Sequence, residues 1–424
     1  MKFIRENKLY KVLSLNAASV GVSMALGVFS TKIISIFLGT MGMALIGSFR
    51  NFTSMLRSLA TLGISNSIIK LFIENRHDKK ELSAIYATFF WIFLSLSIAI
   101  GLLTIGMSTY ISNFLFKTDD FTLPIWIFAL LLPFVVLNTF WMAIYNGLEM
   151  FRKIVVIQII SNVLVFLITA LFIYNGNIQG GLVSVAVSEL AMVIVTYVFI
   201  RRERDYFTFS LQRIGHKKHA SVIGNFSIMA LLSALIVPIT LILIRNRLID
   251  THSITDAGIW DGVNRLSGFY MMFFSSGLSL YYLPKLSSLA TRDQFRSELG
   301  HYFKMLVPLF AAMLLVVFLF RGLIVDIAFT PEFKTIKHIL LWQLAGDFIR
   351  ILTLAFGYQI LVKTMMKEYF LIEIVFNLAY LIFAFYLMQF SSALGVLQAY
   401  FFANVICLVI MLVIFRKVIL NKTT

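Results

Sequence analysis

Charged residues are scarce in this chain of 424 residues: 13% are Asp, Glu, Lys or Arg, whereas 60% are hydrophobic. A soluble chain carries about 25% charged residues, most of them on its surface. Apolar runs of roughly 18 residues or more, the length that a spanning helix needs, recur along the whole sequence instead. The alternating segments of an outer-membrane barrel are missing. The composition predicts an all-α polytopic membrane protein, because helices satisfy their own backbone in lipid.

Residues and motifs that support catalysis are also missing. The single cysteine, Cys407, excludes a disulfide framework and a cysteine-rich metal site. There is no G-x-x-x-x-G-K-[ST] loop to bind a nucleotide, and the six histidines have no metal-ligand spacing. Neither a serine-histidine arrangement nor a paired-carboxylate site is present. We therefore expect a protein that is not an enzyme and that has no catalytic residue, metal or cofactor.

Basic residues outnumber acidic ones, 36 to 20, and their positions define a membrane topology. The predicted spans are residues 12–38, 43–69, 83–111, 122–147, 154–174, 178–200, 221–246, 258–283, 300–320, 338–362, 369–388 and 391–415. Of the Lys and Arg residues in the loops and at the span ends, 23 fall on one side and six on the other. The six are Lys117, Arg245, Arg247, Arg321, Lys334 and Lys337. By the positive-inside rule, twelve spans with both termini in the cytoplasm of a bacterial inner membrane follow, and nucleic acid is not a partner.

The longest polar stretch, residues 201–220, divides the spans into two groups of six. We expect an N-terminal half at residues 1–200, a basic cytoplasmic linker at 201–220 and a C-terminal half at 221–424. The second span of each half contains G-x-x-R, as Gly47 with Arg50 and as Gly262 with Arg265. This repeat predicts pseudo-symmetric halves related by an axis along the membrane normal, with a central cavity.

The basic residues inside the spans are the candidate binding residues. A charge near the bilayer centre costs about 2.5 to 3.5 kcal/mol, so an arginine there is rarely accidental. Arg50 and Arg57 share one helix face with Ser54 and Thr61, at intervals of four, three and four. Arg50 and Lys32 lie near an external end and could instead extend their charges to the interface. Arg57 could instead stabilise the bundle by bonding to helix-end carbonyls.

Two later spans combine an acid with an arginine on one face. Asp347 and Arg350, which share a helix face with Gln343, are the deepest charged pair in the sequence. Asp261 and Arg265 are four residues apart and could bridge each other, either as a structural pair or as an anion site kept neutral at rest. Two further acids lie inside spans without an adjacent base.

These two further acids are Glu189 in the sixth span and Glu373 in the eleventh. Each could carry a proton or make a hydrogen-bonded polar contact, so both stand with Asp261 and Asp347 as candidates for coupling residues or charge partners.

Four stretches resemble the Wzx-type flippases, the lipid III and O-antigen translocase family of the multidrug/oligosaccharidyl-lipid/polysaccharide exporter superfamily. They are "FLGTMGMALIGSFRNF" (37–52), "LGISNSIIK" (62–70), "AGIWDGVNRLSGFY" with "YYLPKLS" (257–270, 281–287), and "WQLAGDFIR" with "FGYQILVK" (342–350, 356–363). The resemblance implies a flippase that moves an undecaprenyl-diphosphate-linked oligosaccharide by alternating access, from the cytoplasmic to the periplasmic leaflet. It also implies membrane lipids, a polysaccharide polymerase and chain-length proteins as partners.

The resemblance extends to some candidate residues and not to others. Lys32, Arg50, Lys70, Asp347 and Arg350 match the family pattern, whereas Arg57 and Arg265 depart from it. Because arginine binds phosphate oxygens with a bidentate fork, a cavity lined by the candidate arginines would select a diphosphate. The expected use is synthesis of O-antigen or a related surface polysaccharide. The alternatives are a drug exporter, whose cationic substrates need an acidic cavity, and a polymerase or ligase, which needs a large external loop.

Overall fold

The computed structural model describes residues 2–174, 177–202, 225–289 and 291–420. Within these ranges every regular element is a helix, as the composition predicted. Nine of the described helices are long and apolar enough to cross a membrane. The chain is therefore an all-α membrane protein with many spans.

The first eight helices precede residues 203–224, which lie outside the described ranges and contain most of the predicted linker at 201–220. They are α1 (Lys2–Phe37), α2 (Gly39–Ala60), α3 (Ser65–Glu74), α4 (Lys79–Gly106), α5 (Ser108–Phe116), α6 (Thr122–Gly147), α7 (Phe151–Ile173) and α8 (Ile178–Arg202). The start of α4 is stabilised by Asp78, whose carboxylate accepts from the backbone N–H groups of Lys80 and Glu81.

Eight more helices follow. They are α9 (Asn225–Thr251), α10 (Ile254–Ser287), α11 (Arg292–His301), α12 (Val307–Leu319), α13 (Arg321–Ala328), α14 (Ile336–Val362), α15 (Met366–Ile414) and α16 (Arg416–Leu420). A π-helical turn, Tyr302–Leu306, joins α11 to α12, and a 3₁₀ turn, Pro331–Phe333, precedes α14. The longest predicted external connection, residues 321–337, is therefore partly helical.

Apart from residues 221–224 of the seventh span, which lie outside the described residues, every predicted span coincides with a helix or a pair of helices, with one substantial correction. The second span was expected to be one helix over residues 43–69, but α2 ends at Ala60 and α3 begins at Ser65. At the break, Gly63 has a φ of +63°, and a Cβ there would lie 2.8 Å from the Cβ of Ala230. Both the left-handed backbone and the close neighbour require glycine. The number of spans, twelve, stays a prediction.

Helix α15 is a hairpin of two limbs, as the predicted spans at 369–388 and 391–415 suggest. Its helical geometry is interrupted at Ser391 and Ser392, where Ser392 has φ 49° and ψ −129°. The ring centroids of Tyr380 and Tyr400, one on each limb, are 5.7 Å apart. The two limbs therefore pack side by side in one continuous segment.

The chain divides into two compact units. Unit 1 is Met1–Leu38 with Leu45–Ile239, and unit 2 is Gly39–Ala44 with Thr240–Thr424. In unit 1, α6 packs against α3, α4 and α8, and α7 packs against α1 and α8. In unit 2, α14 packs against α10, α12 and α15. The predicted domain limits at 200 and 221 stay a prediction.

Candidate functional site

A densely hydrogen-bonded charge of unit 2 is the carboxylate of Asp347, which lies in α14 and is 0% exposed. Ser267 and Tyr270 of α10 donate to its Oδ2 at 2.7 and 2.5 Å. Gln343, one turn earlier in α14, places its Nε2 at 3.2 and 3.3 Å from the two carboxylate oxygens. Tyr400 of α15 donates to Oδ1 at 2.9 Å. Three helices thus supply four donors to one carboxylate.

This arrangement offsets the cost of placing a carboxylate inside the membrane. A buried charge is tolerated when it is paired and hydrogen-bonded, because these contacts replace the water that it loses. The four donor side chains are themselves buried. We infer from the donor set that Asp347 is held in one orientation and joins α10, α14 and α15.

Arg350 lies next to this cluster and contacts it through Tyr400. It is the fifteenth of the 27 residues of α14, near the middle of the helix, and its side chain is exposed. Its Nη1 is 3.4 Å from the hydroxyl of Tyr400, which also donates to Asp347. The sequence placed Asp347 and Arg350 on one face, and the structure inserts a tyrosine hydroxyl between them.

A second charge cluster of unit 2 surrounds Asp261 of α10. Asp261 Oδ1 is 2.5 Å from Nη2 of Arg245 in α9, and the Arg245 side chain is 1% exposed. The guanidinium also lies 5.3 Å from the ring centroid of Trp260. The assignment of Arg245 to an external loop was wrong, because this residue is inside α9. Bridging of Asp261 by Arg265, which is half-buried, stays a prediction.

Unit 1 contains an ion pair that the sequence did not reveal. Arg57 Nη2 lies 2.7 Å from Glu189 Oε1, with the Arg57 side chain 32% and the Glu189 side chain 14% exposed. Glu189 had been described as an acid without an adjacent base, because α2 and α8 are far apart in sequence. Arg57 occupies the last turn of α2, just before the break at residues 61–64. The ion pair of Arg57 with Glu189 therefore joins the end of α2 to α8.

The two G-x-x-R arginines occupy equivalent helix positions. Arg50 is the twelfth residue of α2, which begins at Gly39, and Arg265 is the twelfth residue of α10, which begins at Ile254. At 1.5 Å per residue both lie about 17 Å along their helices. Arg50 is exposed and Arg265 half-buried.

The two remaining candidates are a lysine of unit 1 and a glutamate of unit 2. Lys32 of α1 and Glu373 of α15 are both half-buried. The backbone carbonyl of Glu373 accepts from the side chain of Asn377, one turn later in α15, at 2.8 Å.

Sequence reasoning missed Arg245, Ser267, Tyr270 and Tyr400 as members of these clusters. The available signal was tyrosine in the middle of an apolar span, because a buried tyrosine hydroxyl needs a hydrogen-bond partner. Tyr270 lies three residues beyond Ser267, so both fall on one face of α10. Nothing in the local sequence identified Asp347 as their common acceptor.

The family of this chain is decided by its match to a family model. The model described as polysaccharide biosynthesis protein matches residues 9–290, about two thirds of the sequence. The chain belongs to the polysaccharide biosynthesis protein family. The lipid III flippase of Escherichia coli (strain K12) is 25% identical to this family member over 393 residues, 92% of this chain and 94% of the flippase. The resemblance to lipid-linked oligosaccharide flippases is thereby confirmed.

Solved structures show that this polysaccharide biosynthesis protein shares its fold with known transporters. The lipid II flippase MurJ in an inward closed conformation superposes with a TM-score of 0.75 at 14% identity, covering 94% of this chain and 87% of MurJ. An inward-facing multidrug resistance MATE family transporter of the MOP superfamily superposes with a TM-score of 0.70 at 14% identity, covering 93% and 94%. The predicted fold class, an all-α polytopic membrane protein, is confirmed.

Proposed function

We propose that this family member is a flippase that moves an undecaprenyl-diphosphate-linked oligosaccharide from the cytoplasmic to the periplasmic leaflet. Relatives named as lipid III flippases support the class of substrate, since they align over 92% of the chain. The proposal includes alternating access, a role in O-antigen or related surface polysaccharide synthesis, and an inner-membrane location with both termini in the cytoplasm.

We infer a diphosphate headgroup from one observation, namely that accessible arginines lie deep in the helices. Arg50 and Arg350 are exposed and Arg265 is half-buried, although all three lie well inside their helices. An arginine at such a depth is expected to face protein or a water-filled cavity, because lipid would not solvate it. Guanidinium groups bind the oxygens of a phosphate bidentately, so this set favours an anionic headgroup over a cationic drug.

The acidic candidates have a different role in this proposal. Glu189 and Asp261 neutralise Arg57 and Arg245 in the described ion pairs. Asp347 and Glu373 are proposed as coupling residues or charge partners, and Lys32 and Arg57 as further contacts of the diphosphate or the glycan. The proposed partners are membrane lipids, a polysaccharide polymerase and chain-length proteins. In this proposal no residue is catalytic.

The decisive experiment depletes the protein in its own host and identifies the lipid that accumulates. We expect an undecaprenyl-diphosphate-linked oligosaccharide to accumulate with its headgroup facing the cytoplasm, protected from impermeant reagents added to intact spheroplasts. Accumulation of the same lipid on the periplasmic side would indicate a polymerase or ligase. The proposal fails if no lipid-linked sugar accumulates.

Coupling to a proton gradient through Asp347 is a separate part of the proposal. Asp347→Asn removes the only charge that the four donors surround, so the variant should transport more slowly and lose sensitivity to a protonophore. Transport is measured in proteoliposomes with and without an imposed gradient. Normal transport by Asp347→Asn, together with no effect of the gradient on the wild type, would show that this residue is not a coupling residue.

A further inference from the structure

The phenol of Tyr400 is the only group seen to connect exposed Arg350 with buried Asp347 among the described residues. Its hydroxyl accepts from Arg350 Nη1 at 3.4 Å and donates to Asp347 Oδ1 at 2.9 Å. A hydroxyl can do both at once, because it has one donor and two acceptor lone pairs. Replacing tyrosine with phenylalanine would remove both contacts and leave the ring.

The ring of Tyr400 is held in place by a glycine of the neighbouring helix. A Cβ at Gly346, the residue before Asp347, would lie 2.5 Å from Cδ1 and 2.7 Å from Cε1 of Tyr400. Glycine therefore permits the ring to lie directly against α14. The rings of Phe376 and Tyr380, on the other limb of α15, pack on Tyr400 at centroid distances of 6.1 and 5.7 Å. Contacts with α14 and with the other limb of α15 therefore fix the position of the Tyr400 ring and of its hydroxyl.

From this geometry we propose that Tyr400 is a positioning residue for the substrate diphosphate, and that it acts by aiming the guanidinium of Arg350. The inference rests on the proposed function. Tyr400 contacts only Nη1 of Arg350, so this contact itself leaves the other N–H groups of the fork for phosphate oxygens. A guanidinium that is already oriented loses less side-chain entropy when it binds. The hydrogen bond that the hydroxyl of Tyr400 donates to Asp347 sets the orientation of that hydroxyl.

A purely structural role would give a different pattern. In that case Tyr400 would matter only as one of the donors that hold α10, α14 and α15 together, and its loss would affect stability without a specific effect on anion binding. Tyr270 provides the comparison, because it also donates to Asp347, at 2.5 Å, from a different helix. The two tyrosines differ in that Tyr400 alone is seen to contact Arg350.

The test measures the affinity of purified full-length protein in detergent for undecaprenyl diphosphate. Tyr400→Phe should weaken binding about tenfold, the order expected for losing a hydrogen bond to a charged group. Tyr380→Phe is the matched control, because it removes a neighbouring buried hydroxyl that is not seen to bond to Asp347 or Arg350, and it should change the affinity less than about twofold. Equal effects of Tyr400→Phe and Tyr380→Phe would overturn the inference.

A double-mutant cycle shows whether Tyr400 acts through Arg350. In an Arg350→Lys background, which already lacks the fork, Tyr400→Phe should weaken binding by less than about twofold. The effects of Tyr270→Phe and Arg350→Lys on the binding affinity should instead be additive. If Tyr400→Phe still costs tenfold without the fork, Tyr400 does not work by aiming Arg350 and the inference is wrong.

A glycine variant tests the same position without changing any polar group. Gly346→Ala should displace the Tyr400 ring and weaken binding as Tyr400→Phe does. Gly357→Ala, in the same helix, is the control because nothing lies within 4 Å of its Cβ position. Unchanged binding by folded Gly346→Ala would contradict the inference. If the wild-type protein itself fails to bind undecaprenyl diphosphate, the proposed function fails, and the inference fails with it.

Discussion

Arg245 Nη2 and Asp261 Oδ1 form a 2.5 Å ion pair that joins α9 to α10 inside unit 2. Both side chains are almost completely buried, at 1% and 8% exposure. A buried pair offsets the desolvation of its two charges only while both partners are present. This pair is therefore expected to matter more for folding than for binding.

Removing one partner of the Arg245 and Asp261 pair should lower the stability of the protein by about 3 to 5 kcal/mol, because an uncompensated charge stays buried. Arg245→Ala and Asp261→Ala should both reduce the thermal midpoint and the amount of protein in the membrane. Arg247→Ala is the matched control, since Arg247 lies two residues away in α9 and is exposed. Arg247→Ala should have an effect within about 0.5 kcal/mol.

The double variant Asp261→Arg with Arg245→Asp tests the pair itself. The exchange keeps both charges in contact, so it should recover part of the stability lost by either single change. Losses in the double variant that equal the sum of the two single losses would show that the pair is not energetically coupled.

Arg265 is expected to act on the substrate rather than on the fold. Arg265→Lys keeps the charge and loses the bidentate fork, so transport should fall while the amount of folded protein stays near the wild type. Arg265→Ala should reduce transport further. The measurement combines membrane protein level with flipping rate in proteoliposomes. A parallel loss of protein and of transport would assign Arg265 a structural role, as a bridge to Asp261 predicts.

Gly258 of α10 should tolerate no side chain. A Cβ at this position would lie 2.1 Å from the carbonyl oxygen of Thr40, a backbone atom in the first turn of α2 that belongs to the same unit. Gly258→Ala therefore requires a backbone shift and should destabilise the protein by about 1 to 3 kcal/mol. The thermal midpoint of the purified protein measures this loss.

Gly268→Ala is the control for Gly258→Ala. Both glycines lie inside α10, but nothing lies within 4 Å of a Cβ at Gly268. This control should be neutral or stabilising by up to about 1 kcal/mol, because alanine favours helix. Similar midpoints for the two variants would show that the contact with Thr40 is not tight in the membrane.

The proposed topology can be tested by labelling single introduced cysteines. Thr118→Cys and Thr255→Cys should react with an impermeant thiol reagent from outside, whereas Lys80→Cys and Lys367→Cys should react only after permeabilisation. The asymmetry of the loop charges, 23 against six, is the basis of this expectation. The opposite labelling pattern would reverse the proposed direction of transport.

How much the sequence predicted is clear from α6 and α10. The limits of α6 agree with the predicted span at 122–147, because an apolar run between polar ends defines a spanning helix locally. The family was likewise recognisable from short motifs around Arg50, Arg265 and Asp347. By contrast, nothing in the sequence indicated that Asp261 pairs with Arg245 of the neighbouring helix α9.

The sequence by itself determined the helical membrane character, the approximate limits of most spans and the helix face on which each charge lies. These properties depend on neighbours within one or two turns, and the 3.6-residue period relates them to the sequence directly. Only the tertiary structure decided that Glu189 pairs with Arg57, that Arg245 pairs with Asp261 and that Tyr400 connects Arg350 to Asp347. Such contacts depend on how far each helix is rotated and shifted against its neighbours. Close packing at positions such as Gly346 and Gly258 sets this rotation and shift. The periodicity of a single helix does not predict either of them.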